Sequence, residues 1–284
     1  MFQALILAVS LLGPQAGDAV LLPVQHDRAY AIETRIHRWR RTGDDPAMTA
    51  DQHLRVEVQP VPDGFKTLWR DLAAPDRTAI AVQTNERLVP LVLSNLDAAW
   101  AERGLALVRM SSNNSVAAQE MFEAMPDNAR QAMLFKDAIL IASVQGLGQA
   151  VGEPFVQRLP GQRVGDSPSM DIVSTVTLDS VDRATGKAVI TWTTALDPKT
   201  VADALPAAVR AVLGLSEEEA AKMEGFDAML SSARMQNGRN CRYDVDMASG
   251  LAETVVCTEL QDIDIGGQRM KTEGRMEATQ RLIP

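Results

Sequence analysis

Histidine, cysteine and aromatic residues are all scarce in this chain of 284 residues, and each scarcity removes a class of function. The histidines, His26, His37 and His53, are too few and too scattered for a helical zinc motif, and none lies beside an obvious carboxylate motif. Aromatic residues make up only 4% of the chain, which argues against base-stacking platforms. The formal net charge is −9, so approach to a phosphate backbone is repulsive and nucleic acid is not an expected partner. No Gly-x-Ser-x-Gly elbow and no phosphate-binding loop occurs. The sequence therefore assigns no catalytic, cofactor-binding or metal-ligating residue.

Long hydrophobic runs are also missing. Ala4 to Leu12 is apolar apart from Ser10, and a run of about nine residues falls well short of the roughly 20 that cross a bilayer. Followed by Gly13-Pro14 and the small-residue motif Gly17-Asp18-Ala19, residues 1–19 read as a secretory signal, although a charged n-region is lacking. Leu134 to Val144 is short and carries Lys136 and Asp137, so no transmembrane span is expected. The expectation is an exported, periplasmic protein. Residues 20–284 then form a single α+β domain, or two lobes with a boundary in the Gly- and Pro-rich stretch 152–169.

The two cysteines fit that compartment. Suppose Ala248-Ser249-Gly250 forms a three-residue hairpin loop, with Gly250 in the left-handed position. Met247 then opposes Leu251, Tyr243 opposes Val255, and Cys241 faces Cys257. Opposed residues in an antiparallel pair lie within disulfide range. The same register puts Tyr243, Val245, Met247, Leu251 and Val255 on one face and Arg242, Asp244 and Asp246 on the other. A structural disulfide is expected, since a redox pair favours Cys-x-x-Cys and a zinc site needs more ligands.

Alternation of period two predicts strands over 28–41, 52–61, 65–72, 171–180 and 187–196, with another pair between 77 and 93 in which Pro90 marks an edge. It also predicts a long final strand. There Arg269, Lys271, Glu273, Arg275, Glu277 and Arg281 share one face, and Met270, Thr272, Gly274, Met276, Ala278 and Leu282 share the other. Helices are expected over 115–125, 128–144 and 199–213, and after the Ser216–Glu219 capping box, with a break at Gly225. The fold class that follows is α+β: antiparallel sheet with one charged face, the other packed against several α-helices.

Few constellations hint at chemistry. Gly146-Leu-Gly-Gln-Ala-Val-Gly152 resembles a dinucleotide-binding turn, but it follows a helical pattern and runs into Pro154, so it reads as a helix-ending loop. Asp244 with Asp246, and Asp262 with Asp264, are carboxylate pairs at strand spacing, a pattern that any solvated strand face also shows. A composite site from His26, His37 and an acidic residue is geometrically open. Arg35, Arg38, Arg40 and Arg41, with Trp39 between them, form a local basic patch able to touch an anionic surface or an acidic partner. The 13 methionines, among them Met121, Met125, Met133, Met223, Met229, Met270 and Met276, fill a core or line an adaptable apolar pocket.

Helices against a broad one-sided sheet in an exported protein resemble the half-barrel carriers that shuttle lipids or lipoproteins across the periplasm; no motif carries that likeness, and it supplies no residues. The expected function is non-enzymatic binding of an apolar ligand or a partner protein in the cell envelope. A hydrolase with a composite site is the alternative, and an assembly protein working through sheet edges is a third reading.

Overall fold

A computed structural model describes residues 20–22, 24, 27–76, 79–93, 127–161, 168–265 and 267–283. The expected signal segment 1–19, His26 and the expected helix 115–125 lie outside these residues. In chain order the elements begin with β1 (Val20–Leu21), β2 (Tyr30–Thr42), β3 (Met48–Val61), β4 (Gly64–Asp71), β5 (Ile80–Thr84) and β6 (Pro90–Leu93). Helix α1 (Asp127–Ala142) leads to β7 (Gly148–Gln149), β8 (Phe155–Leu159), β9 (Ile172–Asp182) and β10 (Lys187–Leu196). Helices α2 (Pro198–Leu213), α3 (Glu217–Lys222) and α4 (Phe226–Ser232) precede β11 (Arg234–Asp246), β12 (Ala252–Ile265) and β13 (Gln268–Ile283).

Apart from the small β1–β7 pair, the strands form one eleven-stranded sheet in the order β6-β5-β4-β3-β2-β13-β12-β11-β10-β9-β8. All its neighbours are antiparallel. The last strand pairs with the first long one, from Thr272 opposite Thr42 to Ile283 opposite Ala31. The expected two faces are present. Ile32, Ile36, Met276 and Ala278 are buried on the inner face, while Arg275, Glu277 and Arg281 stand on the outer one.

One helix dictates how the sheet bends. Phe135 of α1 packs edge-on against Trp69 of β4, with ring centroids 5.2 Å apart. One and a half turns later, the Leu140 carbonyl accepts a 2.9 Å hydrogen bond from the Tyr243 hydroxyl of β11. That carbonyl is among the last four of the helix, which have no partner within it. Strands β4 and β11 are five places apart in the sheet, roughly 24 Å if flat, against a helix about 10 Å across. Both contacts together require the sheet to curl around α1. Its apolar residues thus join two clusters: Phe135 packs with Ile32, Val56, Phe65 and Trp69, and Leu140, Ile141 and Val144 pack with Trp192, Tyr243, Val255 and Met276.

The turn that ends α1 ties the two wings together. Gln145 is 1% exposed. Its Nε2 donates to the Arg87 carbonyl in the β5–β6 turn, and its Oε1 accepts from the Ala252 amide at the start of β12, at 3.2 and 3.1 Å. The remaining helices cap one end of the sheet. Val201, Ala204 and Ala208 of α2 pack with Leu196 and Met235, and Phe226 of α4 lies in a cluster reaching Ile265. The Ser216 capping box and the break at Gly225 are both present. Sheet dominates; among the described residues, helices cover its inner face only in part.

Two expectations are corrected. Cys241 does pair with Cys257 and Tyr243 with Val255, but a bulge puts Val245 opposite Ala252 rather than Glu253. The hairpin closes between Asp246 and Leu251, with Gly250 at φ +71°, because the Asp246 carboxylate captures the Ser249 amide and hydroxyl and widens the loop by one residue. Secondly, the stretch expected to be a loop from 152 to 169 contains edge strand β8, bounded by Pro154 and Pro160. Prolines at both ends hid a five-residue strand.

Replacing Gln145 by Leu leaves a buried carbonyl and a buried amide without this partner. The expected loss is about 2–4 kcal/mol of unfolding free energy in urea titration. A loss below about 0.5 kcal/mol, the range of an ordinary surface change, would refute the tie between wings.

Candidate functional site

Strand pairing arranges the inner face in rows. The first row under α1 runs Trp192, Cys241, Cys257, Met276, Arg38, Ala50 across six strands. Cys241 and Cys257 are fully buried, and their sulfurs lie at disulfide distance, 2.07 Å. The second row runs Thr194, Arg239, Glu259, Gly274, Arg40, Met48. Then come the neutral polar row Asn237, Gln261, Thr272, Thr42 and the apolar row Met235, Ile263, Met270. Successive rows are about 7 Å apart, two residues along a strand.

The charges concentrate where α1 meets the second row. Arg38 Nε donates to Asp137 Oδ2 at 2.7 Å, and its Nη2 contacts Oδ1 of the same carboxylate. Arg239 Nε donates to Glu259 Oε1 at 2.8 Å across the strand pair. Lys136 and Arg40 complete the group. Among the described residues neither has an ion pair or side-chain hydrogen bond. The cations repel one another, and burial adds to the penalty. Burial, with Arg239 and Arg40 nearby and Glu259 opposing, pushes the Arg38 guanidinium down to about 10. Burial and then Arg38 push the Lys136 ammonium down to about 8. Lys136 nevertheless reaches solvent. Beyond it the inner-face residues Arg239, Asn237, Gln261, Thr272 and Thr42 are half-buried or exposed, a trough left between α1 and α2–α4 among the described residues.

Gly274 sits in the middle of the charged row. A Cβ there would approach Glu259 at 3.6 Å and the Trp39 carbonyl at 3.7 Å, ordinary contact distances. Glycine is therefore not forced by backbone geometry, and its missing side chain leaves the row open between Glu259 and Arg40. Met48 and Met270 flank the trough and are 45% and 48% exposed. Inner-face methionines at these positions lie beyond the helical cover.

The sequence-level basic patch is divided by strand alternation. Arg38 and Arg40 share the inner face with Ile36; Arg35, Trp39 and Arg41 are on the outer face. The outer members are engaged with their own neighbours. Arg35 bonds Glu33, Arg41 bonds Glu273 at 2.7 Å, and the Arg41 guanidinium lies 5.9 Å from the centre of the Trp39 ring. A continuous anionic-surface patch of all five residues is thus not formed. An open cleft of about 560 Å³ is lined by Trp39, Asn240, Thr258 and Arg275 of the outer face and also by Thr194, Arg239, Glu259 and Gly274 of the charged row.

Histidines absent from any carboxylate motif in sequence find carboxylates across strands. His37 Nδ1 lies 2.7 Å from Asp51, and His53 Nε2 lies 2.7 Å from Glu33. Pairing between β2 and β3 creates both contacts, so local sequence gave no sign of them. Glu33 also accepts from Arg281 and Arg35. Arg281, then His53, holds its carboxyl down to about 2 against the opposing effect of burial. Three of the four paired aspartates are likewise engaged. Asp246 meets Lys187 and Ser249, and Asp262 holds Arg269 through two bonds. Asp244 meets Arg242 at 3.1 Å.

Breaking the Arg38–Asp137 pair should be costly. Arg38→Met leaves the carboxylate of Asp137, 6% exposed, without its partner. A loss of about 3–5 kcal/mol in chemical denaturation is expected. The double change Arg38→Met with Asp137→Leu should recover most of it, and equal losses in both variants would contradict the pairing.

Glu33 predicts a pH dependence. A carboxyl held below its unfolded value stabilises the fold above about pH 4.5, and that contribution disappears as pH falls through about 2. Glu33→Gln should therefore melt lower than the parent at pH 7, with the two converging as pH drops from 4.5 to 2. A pH-independent gap would show that the charge of Glu33 is irrelevant.

No protein-family model matches this sequence, and no curated protein matches it either, so its function must be argued from its own geometry.

Proposed function

We propose that this chain is exported to the periplasm and there binds an apolar ligand on the inner face of its curled sheet, without catalysing a reaction. The observation that carries the reading is the trough that the described residues leave uncovered between α1 and helices α2–α4, with Met48 and Met270 half exposed on its face. Exposed methionines on a concave face suit ligands of variable shape, because the unbranched thioether adapts to what it meets. The buried cysteine pair supports an oxidising compartment, where such pairs persist as disulfides. No helix among the described residues is long and apolar enough to cross a membrane.

The competing readings draw less support. A composite hydrolase needs carboxylates free for proton transfer, and three of the four aspartates singled out by spacing, Asp244, Asp246 and Asp262, are held in ion pairs. Assembly through sheet edges needs long flat edges. Among the described residues the edges are β6, four residues opening with Pro90, and β8, five residues bounded by prolines.

Native mass spectrometry of the protein purified from its exported compartment without detergent tests the reading. The expected spectrum shows a chain lacking about the first 19 residues, a mass about two daltons below that of the reduced sample, and extra mass from an apolar passenger. A full-length chain with free thiols would overturn export. A bare chain that takes up no apolar compound on incubation would overturn ligand binding, and a co-purified polypeptide would replace the ligand with a partner protein.

A further inference from the structure

We propose that Arg40 and Lys136 form the seat for the anionic headgroup, phosphate or carboxylate, of an amphiphile whose apolar part runs along the trough toward Met270. The inference rests on the ligand-binding reading above and specifies the chemistry of that ligand.

Charge accounting leads to it. Four cations, Arg38, Arg40, Arg239 and Lys136, converge on the second row with two carboxylates, Asp137 and Glu259. The carboxylates are taken by Arg38 and Arg239, which leaves Arg40 and Lys136 without a carboxylate partner among the described residues of a protein whose net charge is −9. An acidic surface offers many partners, yet these two cations have none among the described residues. Burial disfavours the Lys136 ammonium, so a bound anion would relieve an existing penalty rather than merely add a contact.

The rows supply the rest of the ligand's shape. From the charged row the inner face passes to the hydroxyls of Thr42 and Thr272, 3.2 Å apart, and then to Met235, Ile263 and Met270. The passage from cationic to neutral to apolar covers about 14 Å, two row spacings, the length of a medium acyl chain's first half-dozen bonds and its head. Met48, opposite Arg40, adds apolar surface at the charged end. The gap over Gly274 gives a head room to descend between Glu259 and Arg40. A neutral apolar ligand would leave both cations unpaired beside it, whereas an anionic one neutralises them.

Calorimetric titration of the full mature chain with dodecyl phosphate, dodecanol and inorganic phosphate tests this, using the parent, Arg40→Gln/Lys136→Gln and the outer-face control Arg35→Gln. The parent should bind dodecyl phosphate at least about tenfold more tightly than dodecanol. The double variant should lose that preference while still binding dodecanol, and the control should match the parent. All three proteins should melt within a few degrees of one another, since Arg40 and Lys136 have no ion-pair or hydrogen-bond partner to lose among the described residues. Equal affinity for both amphiphiles, or an unchanged preference in the double variant, overturns the headgroup seat and leaves the carrier reading standing. Binding of inorganic phosphate alone, abolished in the double variant, keeps the anion site and overturns the apolar ligand. No binding of any probe overturns both.

Discussion

A helix of 16 residues that touches both wings of an eleven-stranded sheet is the constraint on which the rest of this molecule depends. Phe135 reaches β4 and Leu140 reaches β11, so the strands between must wrap around α1 rather than lie flat. Such a curl needs fastening, because a sheet of this breadth can also open. Gln145 provides a direct fastening, with one end of its amide on each wing. Burying a primary amide is unfavourable unless its groups are satisfied, and here both find backbone partners that would otherwise need others. The same residue that closes the curl therefore depends on the curl to be satisfied.

The trough follows from a mismatch of lengths. Strand β13 has 16 residues and β12 has 14, roughly 50 Å each, whereas α1 is about 24 Å long and α2–α4 cluster at one end. Helices of that size cannot cover strands of that length. On the inner face that these described helices leave open, the chain places charges. Two of the four cations are paired with carboxylates, Arg239 across strands and Arg38 to α1, as stability alone would require. Arg40 and Lys136 exceed that requirement, and an acidic sequence could have neutralised them at little cost by one further carboxylate.

Much of the fold is legible in the sequence because its signals are local. Alternation in β13, the Cys241–Cys257 register, Pro90 at an edge and the Ser216 capping box each depend on residues close in the chain. The curl and the trough depend on β13 entering beside β2, a pairing of residues some 240 positions apart, for which no periodicity gives a sign. Gln145 is a single polar residue after a helix, with nothing to mark its two distant partners. The basic segment is a different case. Reading Arg35 to Arg41 as one patch follows linear proximity, whereas period two, already evident in Ile32, Thr34 and Ile36, places Arg38 and Arg40 on the apolar side. Two arginines in phase with a buried stripe were the legible sign of the inner charged row.

Gly274 distinguishes that row from a purely structural belt. A structural belt of alternating charges gains from continuity, since each added side chain screens its neighbours and fills space. At the centre of this belt the chain carries no side chain, although a Cβ would make only ordinary contacts and the φ angle is not one that glycine alone adopts. Glycine inside a strand also weakens it relative to most residues. A position that gives up both packing and strand propensity, between a paired carboxylate and a guanidinium with no ion pair among the described residues, keeps space open where charge is already in place. Open space beside uncompensated charge is what a ligand requires and what a folded core, left to itself, closes.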